Sequence, residues 1–273
     1  VLVQAKSLMY KYCLTHKYHS YMENIGYQLV GQGKENYPNH WIRDNTGDNI
    51  SKKNKYYDMY TFHYWLWKNK LKDFEENRWI IFSTYRRFWK NNINFENTNE
   101  LKDKIIQNPP KEWDDYQTIL TEPTDLSKIK ISKIFKKGKK LILKDPSILF
   151  NKKKRNIKFH FDLMHFEGNL KKAVELIDSR DRLEFTNYLN TETSINLWNL
   201  FCCKSPKLLG NWYETVFSWL FKCEEIFGFS DLKDYETGRM YAYLAERYLP
   251  FWFKKYSNTR TWPIYFHDNN DLK

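Results

Sequence analysis

Two rhythms of apolar residues alternate along this chain. Short, nearly continuous apolar runs at 78–82, 113–120 (with Tyr116-Gln-Thr-Ile-Leu120 as its core) and 197–204 predict strands buried on both faces. Between and after them come stretches with helical spacing. Residues 56–69 place Tyr57, Tyr60, Tyr64 and Trp67, with Phe62 and Trp65, on nearly every side of a buried helix. Residues 169–179 put Leu170, Ala173, Val174 and Ile177 on one face of an amphipathic helix. Residues 212–227 form a strongly apolar helix ended by Gly228. Residues 235–256 read as the last long helix, with Pro250 kinking it or starting a new turn. Residues 1–40 give a short apolar start, a stretch dense in Tyr and His, and a loop through Gly31, Gly33 and Pro38. Residues 44–51 read as a turn, 91–110 as a polar surface excursion, and 128–158 as irregular or hairpin-like, broken by Gly138 and Pro146. There is no internal repeat and no linker, so the expectation is one α/β domain with a central sheet flanked by helices.

Within that frame the stretch 44–89 carries the chemistry. A polar turn and an aromatic helix precede the run Trp79-Ile-Ile-Phe82, which continues as Ser83-Thr-Tyr85-Arg86-Arg87-Phe88. In open α/β sheets, ligands bind outside the carboxyl ends of the strands, and the arginine fork suits phosphate or carboxylate. An anion site at Arg86 and Arg87 follows. Consecutive strand residues point to opposite faces, so one arginine (Arg86 favoured) meets the ligand and the other braces the structure. Tyr85 fits packing equally well. Asp48 and Asn49 suit either a turn or contacts to a nucleotide and its sugar. Lys68 closes its helix as a dipole-complementing cation, with a phosphate contact the lesser reading.

Further along, His160-Phe-Asp162-Leu-Met-His165 gathers no three ligands cleanly as strand or helix, so no metal site is expected there. Asn199, an amide in an apolar run, needs partners that either the core or a ligand supplies. Arg239 and Glu246 fall on one helix, where a structural pairing is the plainer reading.

Composition adds charge. The formal net charge is +12, from 45 Lys+Arg against 33 Asp+Glu, and much of the excess lies in 128–158. This is either a solvated surface or an attraction to lipid headgroups, nucleotide sugars or nucleic acid. Aromatic residues make up 18% of the chain, including 11 Trp and 20 Tyr; such rings fill cores and stack on bases and sugars. No apolar run approaches the roughly 20 residues needed to span a bilayer, and the start shows no signal-peptide pattern. Cys13, Cys202, Cys203 and Cys223 lack metal-ligand spacing and read as reduced, mostly buried thiols of an intracellular protein.

Several of these strings together resemble a known family. Asp44-Asn-Thr-Gly-Asp-Asn-Ile-Ser51, followed by Asn54, Tyr57 and Tyr64-Trp-Leu-Trp-Lys-Asn69, resembles the opening of a family of formerly uncharacterised bacterial glycosyltransferase domains. These occur in capsule, exopolysaccharide and O-antigen clusters, some linked to galactofuranose transfer. Thr84-Tyr85-Arg86-Arg87 is similar to the family's His-Tyr-Arg-Arg, and Asn199-Leu-Phe201 to its Asn-Met-Phe. Residues 212–225 resemble its Tyr-Cys-x-Trp-Leu-Phe…Glu helix, and Gly238-Arg239-Met-Tyr-Ala-Tyr-Leu-Ala-Glu246-Arg247 its Arg-x-x-Gly-Phe-x-x-Glu-Arg. Thr84 replaces the usual His, Asp58-Met-Tyr60 the usual Cys-Glu-Leu, and Ala242 the usual Gly.

The resemblance implies a GT-A-like fold with a Rossmann-type sheet and a helical C-terminal part. Residues 1–125 would form the nucleotide-sugar half and 126–273 the acceptor side of a single domain. It implies hexosyl transfer from a UDP-sugar, with galactose or galactofuranose favoured, to a surface-polysaccharide or lipid-linked acceptor. The protein would be cytoplasmic and peripheral at the anionic inner face of the membrane. Where ordinary GT-A enzymes carry Asp-x-Asp and a divalent metal, this chain has Tyr85-Arg86-Arg87, so metal-independent transfer is expected. Donor contacts are then expected from Asp48, Asn49, Lys68, Tyr85, Arg86, Arg87, His165, Asn199 and Arg239. An acceptor base is sought among Asp162, Glu246 and Glu236. The rival readings are a non-catalytic glycan-binding or scaffold relative and a basic single-strand nucleic-acid binder.

Overall fold

A strand that carries apolar side chains on both faces needs neighbours on both edges and cover above and below. Trp79–Thr84 (β4) meets that condition: every residue is buried except Thr84 at its end. A computed structural model of the chain describes residues 9–92, 100–233 and 235–267. In it β4 lies between Met9–Thr15 (β1), in parallel, and Phe201–Cys203 (β9), antiparallel. Beyond β1 come the parallel strands Gln28–Gly31 (β2) and Ile42–Arg43 (β3). Beyond β9 come Thr118–Thr121 (β6) and Thr259–Trp262 (β10), giving the order β10-β6-β9-β4-β1-β2-β3. Arg87–Trp89 (β5) turns back from β4 and pairs with Ile264–Phe266 (β11). Pro123–Asp125 (β7) and Ser194–Asn196 (β8) form a separate two-stranded ribbon. The architecture is a mostly parallel central sheet flanked by helices, a GT-A-like arrangement.

The helices cover the sheet with rings. Helix Tyr60–Asn69 buries Phe62 and His63 against Phe82 of β4 and Phe201 of β9. Helix Pro206–Phe227 packs on it through Tyr213, whose hydroxyl lies 2.8 Å from His63 Nδ1. Its boundaries follow from local chemistry. The Ser205 side chain accepts from Leu208 N–H, Pro206 occupies the first turn, and Gly228 at φ 56° ends it. The last long helix, Met240–Tyr256, runs through Pro250 without ending, buried along most of its length. One apolar core joins these layers from Met9 to Trp262. All four cysteines are buried and free. Among the described residues no helix is long and apolar enough to cross a membrane.

Six expectations change. The strand expected over 113–120 is confined to Thr118–Thr121, since Trp113 closes the short turn Lys111–Trp113, and the helix expected over 235–256 is two, Tyr235–Gly238 and Met240–Tyr256, parted at Arg239. The aromatic helix breaks at Asp58-Met59, where Asp58 takes φ 48° between Asn54–Tyr57 and Tyr60–Asn69. Residues 128–158 are mostly helical, including Ile131–Lys137 and Lys139–Lys144, because Ile134, Ile148, Phe159 and Leu163 form a small core of their own. In 91–110, of which 93–99 lie outside the described residues, Ile105 and Ile106 are fully buried, and Ile106 N–H donates to Trp89 O. The strand expected over 197–204 is confined to Phe201–Cys203, since Trp198 (φ 76°) and Asn199 (φ 55°) form a left-handed turn ahead of it.

Candidate active site

β1 has β2 on one side and β4 on the other, all parallel, so connections leave it in opposite directions. Such a reversal opens a crevice at the carboxyl ends of the strands. Here Leu14-Thr15-His16 at the carboxyl end of β1 and Thr84-Tyr85-Arg86 at that of β4 form one wall of a pocket of about 230 Å³. Asp58, the turn at Trp198-Asn199, Arg239 just ahead of the last helix, and Tyr243 and Glu246 on it close the other.

The two arginines do not sit on opposite faces of one strand. Thr84 pairs with Arg87 across a two-residue turn, Tyr85-Arg86, so the chain doubles back and both arginines line the pocket. Tyr85 anchors this turn. Its carbonyl accepts from Tyr21 O–H, His19 stacks on its ring at 5.3 Å, and His16 meets it edge-on at 5.2 Å. Arg86 is exposed, its guanidinium 4.9 Å from the Tyr85 ring. Arg87 lies near the rings of Trp198 (5.3 Å) and Phe266 (5.6 Å). Rings beside a guanidinium hold it in place by cation–π attraction.

The third arginine comes from the far end of the chain. Arg239 Nη1 donates to Asp58 Oδ2 at 3.0 Å. Asp58 reaches that position because its left-handed backbone is held from several sides. Its carbonyl accepts from Asn54 Nδ2 and Thr61 Oγ1, both at 3.1 Å. Beneath it, fully buried Asp44 accepts from Thr61 Oγ1 at 2.6 Å and Gln32 Nε2 at 3.4 Å. Burial raises the Asp58 pKa, and Arg239 opposes that shift. Desolvation and then Arg239 lower the pKa of His16, which favours a neutral imidazole at the pocket edge.

Glu246 is committed to structure on both oxygens. Oε1 accepts from Trp198 N–H at 2.6 Å, and Oε2 pairs with the fully buried Arg247. The first contact fixes the left-handed turn. Asn199 secures it further, its amide donating to Ala242 O at 3.0 Å and its oxygen accepting from Tyr60 O–H at 3.3 Å. The asparagine is thus satisfied by the protein while lining the pocket.

Of the residues singled out in the sequence, Tyr85, Arg86, Arg87, Asn199, Arg239 and Glu246 converge on this pocket. The others lie elsewhere. Asp48 and Asn49 stand in an exposed turn tied to the end of helix Tyr60–Asn69: Asp48 N–H donates to Asn69 Oδ1, and Asn49 bonds Gly47 O. Lys68 lies over Trp67 at 3.5 Å. Asp162 and His165 sit on helix Ile157–His165, which lines a separate groove. Asp162 pairs with Lys158 at 2.7 Å and accepts from Gly168 N–H. His165 stacks on Tyr243 at 3.7 Å, one ring away from the pocket. The Glu236 side chain lies outside the described residues. Among the described residues no three His, Cys, Asp or Glu side chains cluster closely enough to hold a metal ion.

Asp58 and His16 were missed as site residues. For Asp58 the available signal was a lone acid inside a stretch of apolar rings, where a half-buried carboxylate calls for a partner cation.

The sequence model of a family described as "Domain of unknown function (DUF4422)" matches residues 11–258. The chain belongs to this DUF4422 family. Among solved structures, the WbbM bifunctional glycosyltransferase, in its apo form, superposes on 96% of the chain with a TM-score of 0.67 and 18% sequence identity. The chain spans 45% of that protein's length, and the likeness establishes the fold. No curated protein matches.

Proposed function

We propose that this DUF4422 chain is a glycosyltransferase that moves a sugar from a UDP-sugar to a surface-polysaccharide acceptor without a divalent metal. The reading is supported by the similarity to a glycosyltransferase fold. The observation that carries it is the convergence of Arg86, Arg87 and Arg239 on the crevice beside β1 and β4. Departing UDP gains negative charge on its β-phosphate, and fixed guanidinium donors stabilise such charge without reorganising. Arg86 and Arg87 take the diphosphate, while Arg239 holds Asp58 in place. Asp58, its proton affinity raised by burial, is the acceptor base in preference to Glu246, both of whose oxygens are committed. The acceptor hydroxyl transfers its proton to Asp58 Oδ and attacks the anomeric carbon as the bond to UDP breaks. Galactose or galactofuranose donors are the first to try.

Calorimetric titration with UDP, UDP-galactose and UDP-glucose, each with EDTA and with excess manganese, tests this. Binding that survives EDTA and disappears in Arg86→Ala is expected. No binding under either condition would overturn the catalytic reading and leave a scaffold role.

A further inference from the structure

Ten large apolar side chains are exposed among the described residues, and five of them, Ile131, Phe135, Leu143, Phe150 and Phe166, fall within 131–166. Leu143 and Phe150 are the most exposed of all, at 82% and 86%. They are not a core left unfilled. Ile134, Ile148, Phe159 and Leu163 close a core beneath them. On helix Ile131–Lys137 the division is plain: Ile134 turns inward while Ile131 and Phe135, one turn apart, stay outside.

The same segment holds the chain's charge. Between 128 and 158 stand twelve lysines and Arg155 against Asp145 alone, an excess equal to the formal +12 of the entire sequence. Arg155 is buried, its guanidinium donating to the carbonyls of Ser127, Ile148 and Leu149. The cations on the surface of this lobe are therefore lysines. His165 at its edge stacks on Tyr243 of the pocket, so the lobe adjoins the candidate active site.

We infer that the lobe over 129–166 docks on an anionic lipid bilayer, with Leu143 and Phe150 entering the headgroup region and the lysines meeting lipid phosphates. Exposed apolar tips set among lysines are what an interfacial surface requires. A nucleic acid fits less well. Its bases stack on aromatic faces, whereas Ile131 and Leu143 are aliphatic, and the forked arginine donors that suit phosphate are absent from this surface. The inference stands apart from glycosyl transfer, since it needs neither donor nor acceptor.

Co-sedimentation with phosphatidylcholine vesicles, with and without phosphatidylglycerol, tests it. The chain should sediment with the anionic vesicles, stay in solution with neutral ones, and be released by added salt. Replacing Lys136, Lys137, Lys139 and Lys140 by Gln should weaken partitioning about tenfold or more. Leu143→Ser with Phe150→Ser should weaken it about tenfold and make the remainder more salt-sensitive. Unchanged circular dichroism confirms that each exposed variant folds. Equal binding to neutral and anionic vesicles, or no effect of either variant, overturns the inference. So does capture by a single-stranded oligonucleotide with no capture by vesicles, which would give the lobe to nucleic acid.

Discussion

The pocket beside β1 and β4 and the lobe over 129–166 are both basic, but they hold their charges in opposite ways. In the pocket three guanidiniums stand among rings and carboxylates: Arg239 is bonded to Asp58, Arg87 lies near Trp198 and Phe266, and Arg86 near Tyr85. In the lobe many ammonium groups extend into solvent, and the pairs they make are exposed, as with Lys154 and Asp145. Fixed charges in a partly desolvated crevice discriminate among ligands by geometry. Mobile lysines sum to a field that attracts any anionic surface and fades with salt. The larger charge therefore marks the less selective region.

Mutation should expose this difference, most strongly where a charge is buried. Glu246 is the sole carboxylate bonded to Arg247 among the described contacts, and Arg247 is fully buried. Glu246→Ala leaves that cation uncompensated and frees Trp198 N–H, so it should destabilise the fold by about 3–5 kcal/mol in urea unfolding. A cost near that of an exposed lysine pair, about 1 kcal/mol or less, would show that the pocket's charges are no more tightly held than the lobe's.

Asp58 separates binding from chemistry. Asp58→Asn keeps a hydrogen-bonding partner for Arg239 but removes the proton acceptor. UDP affinity should stay within about threefold while transfer falls about a hundredfold or more. If transfer survives, Asp58 is only the anchor of Arg239 and the base lies elsewhere.

The sequence made the pocket half legible. Strand β4 and its arginines were readable because a buried central strand is written as an unbroken apolar run, and the anion site follows from where such strands end. The face that each arginine takes was not readable. A two-residue turn after Thr84 reverses the chain, and nothing in Ser83-Thr-Tyr85-Arg86-Arg87 distinguishes a turn from two more strand residues. Asn199 reads as a strand amide because the run around it is apolar, yet its left-handed turn depends on Glu246 from a helix 47 positions later. Asp58 and Arg239 meet across 181 positions, a pairing no local pattern encodes. The lobe shows the reverse. Its charge was obvious, but its helices were hidden by Gly138 and Pro146, which punctuate the segment without breaking its small core.

Acid titration sets the buried core behind the pocket against the lobe's lysines, by a smaller margin. Lysines keep their charge between pH 7 and 5 whether the chain is folded or unfolded, so the lobe's lysines add almost nothing to the pH dependence of stability in that window. Buried histidines do. Burial lowers His63 from the usual 6.5 to about 3, so the folded chain keeps it neutral while the unfolded chain takes up a proton. His63 therefore supports the fold fully above pH 6.5, and that support is lost as pH falls from 6.5 towards 3. Between pH 7 and 5 the loss comes to about 2 kcal/mol. His63→Phe forfeits the contact to Tyr213 O–H and should be less stable at pH 7, yet its stability should fall by about 2 kcal/mol less on acidification. His160, lowered by burial and then by Arg247, leaves part of the acid sensitivity in place. An acid limb unchanged in His63→Phe but flattened when lobe lysines are replaced would reverse the comparison, making the exposed charges the ones coupled to folding.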